Sequence, residues 1–152
     1  MPITTTLNKI RACGPCGLDP KADPLTGYQK LVAHLGSGYG LDEPVPFSAI
    51  VESNGIEDAL WCCCAEPQHD KTWRLFAVWC ARQVEHLLTD ERPRHAINVA
   101  ERHANGMATD EELEAAWEAA RAAARAAWEA AGDAAWEAAR DAQTAKFLEM
   151  VA

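Results

Sequence analysis

From Thr109 onward the chain is written as helix. Thr109-Asp110-Glu111-Glu112 is a capping box: the threonine hydroxyl and the Glu112 carboxylate each satisfy a backbone donor at the helix start. Asp110, Glu111, Glu112 and Glu114 then stand where the helix dipole favours negative charge. An alanine-rich tract follows, built from the residue with the highest helix propensity. An unbroken helix over residues 110–150 would be about 60 Å long, whereas a compact domain of this size spans about 40 Å. The tract must therefore overhang the rest of the chain, bend around it or fold back. Gly132 weakens the helix by about 1 kcal/mol relative to alanine, and Gly132-Asp133 is long enough for a helical hairpin. A continuous or kinked helix and a hairpin both remain open, the former being the expected form.

Within the tract, Ala-Trp-Glu-Ala-Ala begins at residues 116, 127 and 135. The first offset is three helical turns, so Trp117 and Trp128 share a face with Leu113 and Ala124. The second offset turns Trp136 by about 80° around the axis. From there Trp136, Gln143, Phe147 and Met150 make a second stripe. The first stripe is expected to pack the helix onto the body and the second to overhang it. Trp136, Phe147 and Met150, with the neighbouring acids Glu129, Asp133 and Glu137, are therefore the candidate partner-binding residues.

The remainder predicts more helices. Residues 3–12 place Leu7 and Ile10 inward. Asp23-Pro24 reads as a helix start, with Tyr28, Leu31, Val32 and Leu35 on one face and Gly36 at the end. Residues 46–53 form a short helix closed by Asn54-Gly55, and residues 56–65 form another that Pro67 stops. Asp70 caps a helix to about Leu88 that is apolar on most sides, hence an expected central, buried one. Residues 90–104 follow, with Pro93 in the first turn and Asn105-Gly106 at the end. The predicted fold is all-α: a compact multi-helix bundle, with a helical body at 1–108 and a long Ala/Trp-rich helix at 109–152, both in one domain.

The net charge is -9, and -6 of it falls within residues 109–152. Such a surface repels phosphate backbones, which argues against direct nucleic-acid binding; it suits a basic protein partner or plain solubility. No apolar run reaches the roughly 20 residues of a membrane span. Met1-Pro2-Ile3-Thr4 lacks the blocks of a signal peptide, so a cytoplasmic location is expected.

Six cysteines in such a protein are not a disulfide framework, and at least one of Cys62, Cys63 and Cys64 should pack as a small hydrophobe. Cys13-Gly14-Pro15-Cys16 matches the thioredoxin tetrad, but no strand precedes it and Gly17-Leu18-Asp19-Pro20 does not open a helix. A turn after the first helix is the favoured reading; redox and metal roles for Cys13 and Cys16 stay open. A zinc site would need Cys62, Cys64, His34 or His69 to complete the set, without a second spaced pair. His86 and His95 sit at adjacent helix ends and could meet; His103 reads as a surface or capping residue. Gly36-Ser37-Gly38-Tyr39-Gly40 lacks the strand and helix of a phosphate loop and reads as a connector. No catalytic residue, cofactor site or metal site is assigned, and the chain is expected not to be an enzyme.

Several segments recur in a familiar order: Glu52-Ser53-Asn54-Gly55 before Asp58-Ala59-Leu60-Trp61-Cys62; His69-Asp70 before residues 76–84; Val99 to Gly106; and Ala108 to Leu113 before the Ala/Trp/Arg tract. Together they cover most of residues 47–150 and resemble the Imm5-like immunity proteins of bacterial and phage genomes. That resemblance implies an all-α fold and a non-enzymatic inhibitor that neutralises a toxin or effector. Two alternatives stand beside it: a phage anti-defence inhibitor, anti-CRISPR-like, that binds a bacterial defence complex, and a self-associating helical module, such as a homodimer.

Overall fold

The computed structural model describes the backbone of all 152 residues and the side chains of residues 1–121 and 139–152. There are seven α-helices: α1 (Leu7–Ala12), α2 (Gly27–Leu35), α3 (Phe47–Asn54), α4 (Ile56–Cys62), α5 (Asp70–Val84), α6 (Glu91–Ala104) and α7 (Asp110–Val151). The sheet is a single antiparallel pair of two-residue strands, β1 (Thr4–Thr5) and β2 (Val45–Pro46). The all-α expectation is met. Contacts divide the chain into two compact units, one of Met1–His69 with Phe147–Ala152 and one of Asp70–Lys146.

Local punctuation explains most boundaries. Thr6 caps α1, its hydroxyl accepting the Lys9 amide proton at 3.2 Å. Gly55 ends α3 and starts α4 with φ at 94°, a conformation that would strain any residue with a Cβ. Asp90 caps α6, accepting from the Arg92 amide at 2.8 Å. The capping box of α7 is formed in both directions: Glu112 accepts from the Thr109 amide at 2.8 Å, and Thr109 accepts from the Glu112 amide at 3.2 Å. α7 is one helix of 42 residues, so there is no hairpin at Gly132-Asp133.

Four boundaries differ from expectation. α1 begins at Leu7 rather than at residue 3, because Thr4 and Thr5 pair with Pro46 and Val45 in the sheet. α2 begins at Gly27 rather than at Pro24. The Asp23 carboxylate spends itself on the Leu25 amide at 2.9 Å, closing a turn instead of capping a helix. The stretches after α4 and α5 tighten into 3-10 turns at Cys63–Ala65 and Glu85–Leu87, so neither α-helix runs its full expected length.

In the first unit the core gathers Leu7, Ile10, Leu31, Val45, Phe47, Ile50 and Phe147, each at most 2% exposed. The Phe147 ring meets Phe47 edge-on with centroids 6.0 Å apart. The Ile3 amide donates to the Val151 carbonyl at 2.8 Å, tying the last turn of α7 to the strand region. Phe147 is therefore core, which corrects the expectation that the second stripe overhangs; Met150 is half-buried. The physical reason is that the last turns of α7 return to the first unit, where the Phe147 ring packs on Phe47 and both are fully buried.

In the second unit α5 packs on α6, and α6 packs on the first half of α7. Ala96 and Val99 meet Ala116 and Ala120, flanked by Ala108 and Leu113. Small residues let the two helices approach closely. A second cluster joins Val78, Leu88 and Ile97. The Arg82 guanidinium spans the pair, reaching Glu85 at 3.1 Å, Asn98 at 2.8 Å and Glu101 at 2.6 Å. α5 is not the buried central helix that its composition implies: only Phe76 and Val78 are buried, while Val84 at its end is 40% exposed. Its apolar residues fall on two faces, and α6 covers one. Among the described residues no helix is long and apolar enough to cross a membrane.

Candidate functional site

Of the expected partner-binding residues, Phe147 is buried and Met150 half-buried. Glu129, Asp133, Trp136 and Glu137, with Trp128 of the first stripe, have side chains outside the described residues. The remaining tract tryptophan reverses its assignment. Trp117 was expected to pack the helix down, yet it is 57% exposed, while its neighbours Ala116 and Ala120 carry the packing. Ala116 and Ala120, four residues apart, lie on the buried face; Trp117, one position round, is turned about 100° away from Ala116.

The surroundings of this indole are ionic. Glu114 lies one turn before it and Arg121 one turn after, on the same face. Glu118 pairs with Arg121 at 3.4 Å. Asp110, Glu111 and Glu112 occupy the first turn of the same helix, where Asp110 faces His103 at 2.6 Å and Glu112 caps Thr109, so Glu114 and Glu118 are the carboxylates next to Trp117. An indole face with carboxylates beside it attracts guanidinium and ammonium groups, by cation–π attraction on the ring and by charge at its edge.

A cavity of about 340 Å³ lies within the first unit. Ile10, Tyr28, Leu31 and Ile50 line it with apolar surface, and Cys16 and Trp61 also line it. Asn54 donates to Asp58 at 2.7 Å and to the Gly27 carbonyl at 2.9 Å, which pins α3, α4 and the start of α2 around it. Gly27 is required there: a Cβ would collide with the Cys16 carbonyl oxygen.

The cysteines divide by burial. Cys62 is buried, Cys63 half-buried and Cys64 exposed, so the triple cysteine does contribute a small hydrophobe to the core. Burial pushes the Cys62 and Cys63 thiols up to about 12. Cys13 is the C-cap of α1, at the negative end of a helix, the reverse of a thioredoxin thiol. Burial, with Cys13 as a further cause, pushes the Cys64 thiol up to about 11. Among the described residues no group of three or more His, Cys, Asp or Glu side chains is placed to hold a metal ion.

His103 is held at both ring nitrogens. Arg74 donates to Nδ1 at 3.3 Å and Nε2 faces the Asp110 carboxylate at 2.6 Å. Because a guanidinium only donates, Nδ1 is the acceptor and Nε2 carries the proton. This is a structural bridge from α5 through α6 to the start of α7, and it occupies both nitrogens that acid–base work would use. His86 and His95 are both exposed.

No protein-family model, curated protein or solved structure matches the chain.

Proposed function

We propose that this protein acts by binding another protein, as an inhibitor of the immunity-protein kind, and that Trp117 on α7 is the centre of its contact surface. The observation that carries this reading is the 57% exposure of a tryptophan on a well-packed helix. Burying an indole from water is worth a few kcal/mol, so a sequence that leaves one exposed beside alanines forgoes that gain. Tryptophan is also among the residues most enriched at binding hot spots, where its truncation costs about 2 kcal/mol or more. The carboxylates around it select a basic partner surface and speed the encounter with it. The overall charge of -9 acts in the same direction. Inhibition then follows from occupancy: a toxin, an effector or a defence complex whose basic working surface is covered cannot engage its own anionic target.

The test compares three baits in affinity capture from a bacterial lysate: the wild-type protein, Trp117→Ala, and the double variant Glu114→Lys with Glu118→Lys. A specific partner is enriched by the wild type, lost by about tenfold or more with either variant, and released by salt. The isolated partner is then assayed with and without the protein, and its activity falls when the protein is present. If the alanine bait captures the same proteins at the same level while keeping its helical circular dichroism, the reading is wrong.

A further inference from the structure

We propose that the cavity of about 340 Å³ in the first unit is a binding site for a small arylalkylamine, whose apolar body fills the cavity and whose ammonium is held by Asp58. A volume of that size falls within the range of small-ligand sites. Three helices each turn one face to it. Tyr28 and Leu31 are three residues apart on α2, Ile50 and Asn54 four apart on α3, and Asp58 and Trp61 three apart on α4. Side chains at those spacings share one side of a helix. Leu31 and Ile50 are 2% and 1% exposed, so this apolar lining is continuous with the packed core. The turn at residues 14–16 completes the lining and is latched to the start of α2, where the Tyr28 amide donates to the Cys16 carbonyl at 2.8 Å.

The polar groups select the ligand. Asp58 is half-buried and accepts from the Asn54 amide through Oδ2 at 2.7 Å, while its Oδ1 accepts no hydrogen bond among the described residues. Asn54 is itself fixed by its second bond to the Gly27 carbonyl at 2.9 Å. The carboxylate is thus in place before a ligand arrives, and a preformed site loses less conformational freedom on binding. Tyr28 is 7% exposed, and its hydroxyl has no hydrogen-bond partner among the described residues. Leaving a buried hydroxyl unpaired is costly, and a polar ligand group would relieve that cost. An ammonium has three donors and no acceptor, which matches an open carboxylate oxygen and a phenolic oxygen.

Charge points the same way. Glu57 also lines the cavity, and no lysine or arginine does. Arg11, which acts electrostatically on Tyr28, is exposed and lies outside the lining. An anion would therefore meet two carboxylates, and a neutral molecule would leave Asp58 without a counter-charge. Trp61 is 42% exposed, so its indole offers a free face. That face attracts a cation and stacks on an aromatic ring, and an arylalkylamine carries both.

The experiment titrates the full chain at pH 7 with three probes that share a phenyl ring and a short chain: 2-phenylethylamine, 2-phenylethanol and 3-phenylpropanoate. Calorimetry gives the affinities. Nuclear magnetic resonance follows the indole N–H signals, with that of Trp61 assigned by its loss in Trp61→Phe. The amine is expected to bind at one site with a Kd below about 1 mM. It should bind about tenfold or more tighter than the alcohol, the propanoate should bind weakest, and the Trp61 signal should move to saturation. Asp58→Asn keeps the size of the side chain and an acceptor for Asn54; it should weaken the amine by about tenfold and leave the alcohol unchanged. Trp61→Ala removes a part-exposed ring and should weaken both by about fivefold. The wild-type series decides the matter even if a variant fails to fold. The proposal is overturned if the alcohol or the propanoate binds as tightly as the amine, or if the Trp61 signal stays fixed. It is equally overturned if no probe binds saturably, or if folded Asp58→Asn binds the amine as the wild type does.

Discussion

Replacing Phe147 with alanine removes the side chain by which the end of α7 completes the core of the first unit. Phe147 is 0% exposed and its ring packs edge-on to Phe47, also 0% exposed, at 6.0 Å between centroids. Truncating a fully buried phenylalanine costs about 3–5 kcal/mol, the transfer of the ring plus the cavity left against a partner that cannot follow it. The edge-to-face pair adds about 0.5–1.5 kcal/mol, already part of that range in practice. For a chain of 152 residues, about 4 kcal/mol lowers the melting midpoint by about 8–16 °C. Urea titration followed by circular dichroism, with differential scanning calorimetry alongside, reads the change. A fall of less than about 3 °C would refute the reasoning, because it would mean that Phe147 spends its time in water. Truncation after Gly132 removes Val151 as well, which is 3% exposed. The shortened chain is therefore expected to lose its cooperative transition.

Two further outcomes follow from the geometry. Lys9→Met leaves the Glu66 carboxylate buried without its ammonium, and should cost about 2–4 kcal/mol at pH 7. In the wild type, burial raises the Glu66 carboxyl but the hydrogen bonds from Lys9 and Gln68 outweigh it and hold the group below its usual value. A depressed carboxylate contributes stability that is present above its unfolded value and lost as pH falls through its folded one, so the wild type should weaken below about pH 4.5. In Lys9→Met the sign reverses, and this contribution should be lost as pH rises; unfolding curves from pH 3 to 8 that stay parallel for the two proteins would refute it. Ala120→Leu forces a branched side chain between α6 and α7, where Ala120 is 2% exposed. It should cost about 1–3 kcal/mol by overpacking, whereas Trp117→Ala should change stability by less than about 1 kcal/mol; equal melting points for wild type and Ala120→Leu would show the helices further apart than described.

What the sequence determined by itself was that helices form and where several of them start or stop. Gly36, Gly55 and the Thr109 capping box act on backbone groups within a turn of themselves, so their effect is local and legible. The same locality explains the error at Asp23, where one carboxylate had two equally local uses and the turn took it. Faces were not legible in this way. Whether an apolar side chain is buried depends on what the rest of the chain brings to it. Alanine on every side of α7 removes the bulk asymmetry that would mark the inner face. Tertiary packing therefore decided that Ala116 and Ala120 face α6, that Trp117 is left outside, and that Phe147 closes over Phe47. It decided too that α1 packs on the Cys63–Ala65 turn after α4. That contact is held by an ion pair between Lys9 and Glu66 that no sequence spacing encodes.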